Sequence, residues 1–238
     1  MNQKLVIIPT YNEVENVEEI IKAIFNLQEN YDILFVDDTS VDGTLAIIKN
    51  LQKQYSNNLF LEIREKKEGL GKAYVHGFKW ALKRGYEFIF EMDADFSHNP
   101  KDLNKLFECC VNGSHMAIGS RYFNGVSVIN WPMQRVMLSY FASAYVRFVT
   151  GLKIQDTTAG FICYKGELLE KINLDAILFK GYAFQIEMKY SAWKKNFKLQ
   201  EVPITFTDRS KGKSKMNKSI IYEAIFGVFY LKFFKRYS

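Results

Sequence analysis

Asp93 and Asp95 stand two residues apart at the end of a short apolar run. Two carboxylates so spaced can share a hard divalent cation, with phosphate oxygens and water completing its shell. Ser97, two residues further on, can add an oxygen; the competing reading of the triplet is a plain turn ahead of a helix. Asp37 and Asp38 close an earlier apolar run. Carboxylates there accept hydrogen bonds from a base or ribose, or else serve only as charges favoured by the dipole of the next helix. Tyr11 leaves the first run and can pack on a base, and Glu13 beside it either shares that ligand or is a first-turn acid. Arg121 follows a fifth run and can reach a phosphate, while Arg135 and Ser139, at i and i+4 on a helix, can hold one phosphate between them. A solvated arginine beside a polar helix position is the alternative for that pair.

Residues 208–218 are basic and contain a glycine, which suits a mobile lid that orders on a diphosphate and offsets the charge of a departing nucleoside diphosphate. No aromatic stacking platform or groove-entering helix accompanies this segment, so nucleic acid is not an expected partner. The glycine loop Glu68-Gly69-Leu70-Gly71-Lys72 is not a phosphate-binding P-loop, because Ala73 stands where Ser or Thr is required. No Gly-x-Gly-x-x-Gly follows the first strand either, which removes the main support for a nicotinamide enzyme. His76, His98 and His115 share no metal spacing and read as structural, and Cys109, Cys110 and Cys163 as packing residues, which excludes zinc fingers and disulfide scaffolds.

Elements of two kinds alternate to position these groups. Buried β-branched runs at residues 4–8, 31–36, 59–63, 86–91 and 116–119 read as strands, with helices predicted over 14–27, 44–55, 73–83 and from Asn99-Pro100 onward. Asn12 and Glu15 are expected to form a capping box on the first helix. The β-α-β-α order implies a mostly parallel sheet with helices on both faces. Such sheets bind ligands outside the carboxyl ends of their strands, and the candidate residues all fall at those ends. Further on, helices are predicted over 135–149, 183–195 and 219–235, and strands over 160–164 and 199–206. The chain is read as one catalytic domain, 1–218, followed by an apolar helix, 219–238.

With 238 residues, 48% hydrophobic and 24% charged, the chain can bury a full core without staples. Its net charge of +6 is compatible with phosphate-bearing ligands or an anionic membrane surface. Only residues 5–8 are apolar ahead of Pro9, too few for a signal peptide, and no run reaches the roughly 20 apolar residues of a membrane span. The last helix carries Tyr222, Phe226, Phe229, Tyr230, Phe233 and Phe234 with Lys232, Lys235 and Arg236 near its end. That composition suits the lipid interface, or alternatively a buried or subunit-contacting helix.

The stretches VIIPTYNEVENV, VDDTSVDGT, GLGKAYVHGF, MDADFSHNP, IGSRY, DTTAGF, KGYAFQIEM and EVPITFTDRSKGKSKM, in this order, resemble the polyprenol (dolichyl) monophosphate mannose synthases, inverting glycosyltransferases of GT-A (Rossmann-like) fold. The resemblance covers nearly the whole chain up to Met216. It implies GDP-mannose as donor and a polyprenyl phosphate as acceptor. By the resemblance Pro9, Tyr11, Glu13, Val36 and Asp38 hold guanosine and ribose, with Ala94 also lining the nucleotide-sugar site. Asp93, Asp95 and the position of Ser97 bind Mg²⁺ or Mn²⁺ with the diphosphate. Arg121, Lys180, Arg209 and Lys215 contact donor phosphates and sugar, Asp95 and Arg209 acting in catalysis, while Arg135 and Ser139, with Arg121, face the acceptor phosphate. The expected location is cytoplasmic and peripheral on a membrane. Attachment would rest on the terminal helix or on an anchoring partner subunit. The residues themselves do not choose between guanine and uracil, so a related enzyme using a UDP-sugar, or a non-lipid acceptor, stays open beside this reading.

Overall fold

The computed structural model describes residues 3–208 and 218–235, with the backbone alone for Tyr182 and residues 218–225. The first strand, β1 (Lys4–Thr10), shows why the sequence folds in layers. Leu5 and Ile7 point into one core and Val6 and Ile8 into the other, so both faces of the strand are covered, as a parallel sheet requires. β1 lies between β2 (Asp32–Asp37) and β4 (Phe88–Glu91), parallel to both, and β3 (Leu59–Ile63) pairs with β2 in the same sense. Helices α1 (Val17–Phe25), α2 (Thr44–Gln54) and α4 (Asp102–Val111) contribute to one core. The other is built on α3 (Leu70–Lys83), α6 (Gly166–Lys171) and α7 (Tyr182–Lys194).

The sheet has seven strands in the order β3-β2-β1-β4-β7-β5-β8, with β5 spanning Met116–Ser120, β7 Ile162–Lys165 and β8 Leu199–Pro203. The mostly parallel α/β sheet expected from the alternation is therefore present, with one insertion. β7 runs antiparallel between β4 and β5, Ile162 registering with Glu91 on one side and Ile118 on the other. An antiparallel strand begins where its parallel neighbours end. The residues leading into β7, 156–161, are consequently delivered to the same carboxyl edge as Asp93 and Arg121.

Three local expectations are corrected. The capping box of α1 does not form: Asn12 adopts φ 57°, its side chain accepts the Val41 N–H at 3.0 Å and its own N–H donates to Ser40 Oγ at 2.8 Å. These tertiary bonds draw residues 12–14 to the loop before α2, and α1 starts only at Val17. The helix expected from Asn99 begins at Asp102, because Asn99 first closes a tight turn whose carbonyl accepts the Asp102 N–H. The strand expected over 199–206 breaks at Pro203, which has no N–H to donate. β9 (Phe206–Thr207) instead pairs with β6 (Val128–Ile129) in a separate two-stranded sheet.

α5 (Met133–Thr150) and α8 (Lys218–Phe233) pack together against α7, burying Val146, Ile186, Tyr190, Val228 and Leu231. Their outer faces leave Met137, Phe141, Phe148, Phe226, Phe229 and Phe233 exposed. Among the described residues, no helix is long and apolar enough to cross a membrane.

Candidate active site

At the ends of β1, β2 and β3 the two adjacent aspartates are both buried and separate by partner. Asp37 is fully buried and its carboxylate is taken up by Thr10 Oγ1 (2.7 Å), the Ser40 N–H (2.7 Å) and Ser40 Oγ (2.7 Å), which staples β1 to the turn after β2. Asp38 faces Arg64, whose Nε lies 2.9 Å from its Oδ1. Burial pushes the Asp38 carboxyl up from its ordinary range, and the Arg64 charge opposes that rise. Tyr11 receives Lys67 Nζ over its ring at 3.8 Å. Glu13 lies ahead of α1 rather than in its first turn and accepts from Asn16 Nδ2 at 3.0 Å. Val36 and Ala94 are buried core residues, Val36 near the end of β2 and Ala94 just after β4.

Asp93 and Asp95 follow β4 on a turn reversed by Phe96 at φ 59°. Asp95 Oδ1 accepts the Ser97 N–H at 3.1 Å, and Ser97 itself is buried. His98, read from sequence as structural, is a brace. Its ring is buried, stacks on Phe161 at 4.8 Å, and takes the Asp93 N–H on Nδ1 at 3.2 Å. Burial pushes this imidazole down to about 4, which keeps Nδ1 an acceptor at neutral pH.

Arg121, just beyond β5, is committed to Asp156. Its Nε and Nη2 each lie 2.6 Å from one carboxylate oxygen, its main-chain N–H donates to the same group at 2.9 Å, and Nη2 also reaches Thr158. Burial alone would raise the Asp156 carboxyl, but the Arg121 charge and bonds override it and hold it below the usual range. Arg135 lies over the Trp131 ring at 4.0 Å and pairs with Asp208 at 2.8 Å. Arg121 is 5.4 Å from that same ring, so the two arginines converge on Trp131, and Ser139 sits beside the phenol of Tyr122. Phe206 joins the halves of the site, touching His98 at 5.4 Å and Trp131 at 5.2 Å.

Lys180 is placed by the glycine loop. The Gly71 N–H donates to the Lys180 carbonyl at 2.9 Å, and a Cβ on Gly69 would meet the Lys180 Cβ at 2.9 Å. Arg209 and Lys215 lie outside the described residues.

The glycosyl transferase family 2 model matches residues 5–173. The chain belongs to glycosyl transferase family 2. It is 47% identical over 224 residues to polyprenol monophosphomannose synthase of Mycolicibacterium smegmatis, covering 94% of this chain and 84% of that protein. It is 41% identical over 224 residues to undecaprenyl-phosphate mannosyltransferase of Micrococcus luteus, covering 94% of this chain and 91% of that one. Dolichol-phosphate mannosyltransferase of Pyrococcus furiosus is 39% identical over 222 residues, spanning 92% of this chain and 60% of the relative. Among solved structures, glucosyl-3-phosphoglycerate synthase from Mycobacterium tuberculosis, in complex with Mn²⁺, UDP-glucose and glycerol 3-phosphate, superposes with a TM-score of 0.68 at 14% identity, over 98% of this chain and 80% of that one. At that identity the likeness is one of fold.

Within this family 2 glycosyltransferase the Asp93/Asp95 turn suits a hard divalent ion bound together with a ligand. Among the described residues no three His, Cys, Asp or Glu side chains are grouped to hold a metal by themselves. Two carboxylates alone would leave an incomplete oxygen shell that diphosphate oxygens could finish. Sequence reasoning missed Arg64 and the role of Asp156. Arg64 carried a signal, since it directly follows the third strand as Arg121 follows the fifth. Asp156 opens the DTTAGF stretch, but its pairing with Arg121 carried no signal, because nothing local to residue 156 shows that β7 turns back between β4 and β5.

Proposed function

We propose that this glycosyltransferase moves mannose from GDP-mannose to a polyprenyl monophosphate, with inversion, on the cytoplasmic surface of a membrane. The observation that carries the reading is the convergence of the Asp93/Asp95 turn and the Arg121/Arg135 cluster on Phe206, in a chain 39–47% identical to three polyprenyl-type phosphate mannosyltransferases. Pro9, Tyr11, Glu13, Val36 and Asp38 surround the nucleoside, with Ala94 also lining the site. Lys180, Arg209 and Lys215 meet the donor phosphates and sugar. Asp93 and Asp95, with Ser97 adjoining, hold Mg²⁺ or Mn²⁺, which when bound neutralises diphosphate charge.

The chemistry needs no general base. A phosphate monoester has a second pKa near 6 and is already anionic at neutral pH. Arg121, Arg135 and Ser139 hold it while one of its oxygens forms a bond to the anomeric carbon. The bond from that carbon to GDP breaks, and the electron pair leaves with GDP, so an α-linked donor yields a β-linked product. Positioning of two phosphates and offset of leaving-group charge account for the rate. The exposed aromatic faces of α5 and α8 supply a surface on which the lipid acceptor's membrane can lie.

The test is transfer of label into organic solvent by the purified protein with Mn²⁺, polyprenyl phosphate and labelled GDP-mannose, UDP-glucose or UDP-N-acetylglucosamine. GDP-mannose alone is expected to give labelled lipid, and Asp95→Ala to give none while melting normally. Transfer from a UDP-sugar overturns the donor assignment, and full activity of Asp95→Ala overturns the metal role.

A further inference from the structure

Glu187 is a carboxylate that the proposed reaction does not use, and it is fully buried inside α7. Its two oxygens are spent on main chain: the Leu178 N–H reaches Oε1 at 3.2 Å and Oε2 at 3.1 Å, and the Phe179 N–H reaches Oε2 at 3.0 Å. The counter-charge comes from far along the chain, from Lys235 just beyond α8, whose ammonium pairs with Glu187 Oε1 and also donates to the Ala176 carbonyl at 3.1 Å. A buried carboxylate is costly unless its charge is matched and its oxygens are bonded, and here Lys235 and the two N–H groups meet both needs. What it fixes is Leu178 and Phe179, the residues that lead into Lys180. The far side of that segment is clamped by the glycine loop: the Lys180 carbonyl accepts from the Gly71 N–H, and the Phe179 carbonyl lies 2.7 Å from where a Gly71 Cβ would stand. α8 presses on it as well, since Tyr230 meets the Phe179 ring at 6.5 Å and Gly227 leaves no room for a Cβ against that ring.

We propose that Glu187 is a positioning residue for Lys180: by gripping the N–H groups of Leu178 and Phe179, with Lys235 as counter-ion, it works with the glycine loop to set where Lys180 stands at the donor diphosphate and ties that placement to α8. The inference rests on the assignment of Lys180 to the donor phosphates made above. Glu187 touches no substrate. Its effect therefore passes through Lys180, and the donor alone should feel its loss.

A double-mutant cycle on Glu187→Gln and Lys180→Met tests this, run with whichever nucleotide-sugar the wild-type protein transfers. An error in the mannosyl reading then shows in the donor's identity, and an error in this inference shows in the cycle. Lys180→Met and Glu187→Gln are each expected to raise the donor KM about tenfold, leaving the acceptor KM unchanged, as small misplacements of a phosphate clamp do. The double variant is expected to be no worse than Lys180→Met alone. Additive losses, or a Glu187→Gln defect shared equally by donor and acceptor, would mean a general structural role and overturn the proposal; so would a Lys180→Met variant with normal donor KM. If Glu187→Gln does not fold beside an unmatched Lys235, the same cycle is run in Glu187→Gln/Lys235→Met, which keeps a carbonyl acceptor and removes the orphan cation.

Discussion

Breaking the Arg121–Asp156 pair should cost more in stability than any other single polar change at the site edge, and the cost can be worked from its geometry. Asp156 is fully buried and the Arg121 side chain is 9% exposed, with two side-chain bonds of 2.6 Å and a main-chain bond of 2.9 Å converging on one carboxylate. Removing either partner strands the other charge, at about 3–5 kcal/mol. For a chain of 150–250 residues each kcal/mol lowers the melting temperature by roughly 2–4 °C, so Arg121→Met and Asp156→Leu should each melt roughly 6–20 °C below wild type. The double variant strands no charge. It leaves the Arg121 main-chain N–H without an acceptor, at about 1–3 kcal/mol, so the coupling recovered should be at least ~3 kcal/mol. Chemical denaturation of the four proteins measures this directly. If the two single losses simply add, the pair is not a unit and the reasoning fails. The same set separates structure from catalysis: the folded double variant should lose about 10²-fold in turnover, because the arginine that faces the phosphates is gone. The linkage also has a sign. Asp156 is held below its ordinary 3.8, so its contribution is fully present above that value and is lost only as pH falls through the lower folded value.

Two further outcomes are expected. In Gly71→Ala the new Cβ would meet the Phe179 carbonyl at 2.7 Å and the Phe184 ring at 2.8 Å, so it should destabilise by about 1–3 kcal/mol and raise the donor KM with the acceptor KM unchanged; a variant stabilised by alanine's helix propensity would contradict the packing argument. Lys189 is fully buried, donates to the Ala159 and Gln185 carbonyls, and is surrounded by Glu91, Asp156, Arg121 and Glu201. Burial pushes its ammonium down from 10.5 to about 8, so between those values the unfolded chain binds more protons and stability rises with pH. Denaturation at pH 8 and pH 10 should show wild type gaining roughly 2 kcal/mol relative to Lys189→Met, and parallel pH curves would refute it.

What could be read from the residue order alone was whatever depends on short-range pattern. β-branched runs alternating with amphipathic stretches specify strands and helices, and their order specifies a mostly parallel sheet. The rule that ligands bind at carboxyl edges then places Asp38, Asp93, Asp95 and Arg121 together without coordinates. The eight motifs in sequence were specific enough to indicate the glycosyltransferase family. Tertiary structure decided what each residue spends itself on, because that depends on partners distant in the chain. Asp37 and Asp38 are neighbours in sequence, yet one is consumed by Thr10 and Ser40 and the other faces Arg64. Asn12 looks like a helix cap until the loop at residues 40–44 captures it. His98 becomes a brace only because Phe161 is brought beside it. Asp156 reaches Arg121 because β7 folds back between β4 and β5. Hydrophobic periodicity carries no information about such pairings: they are set by strand order, and an antiparallel insertion leaves no local signature.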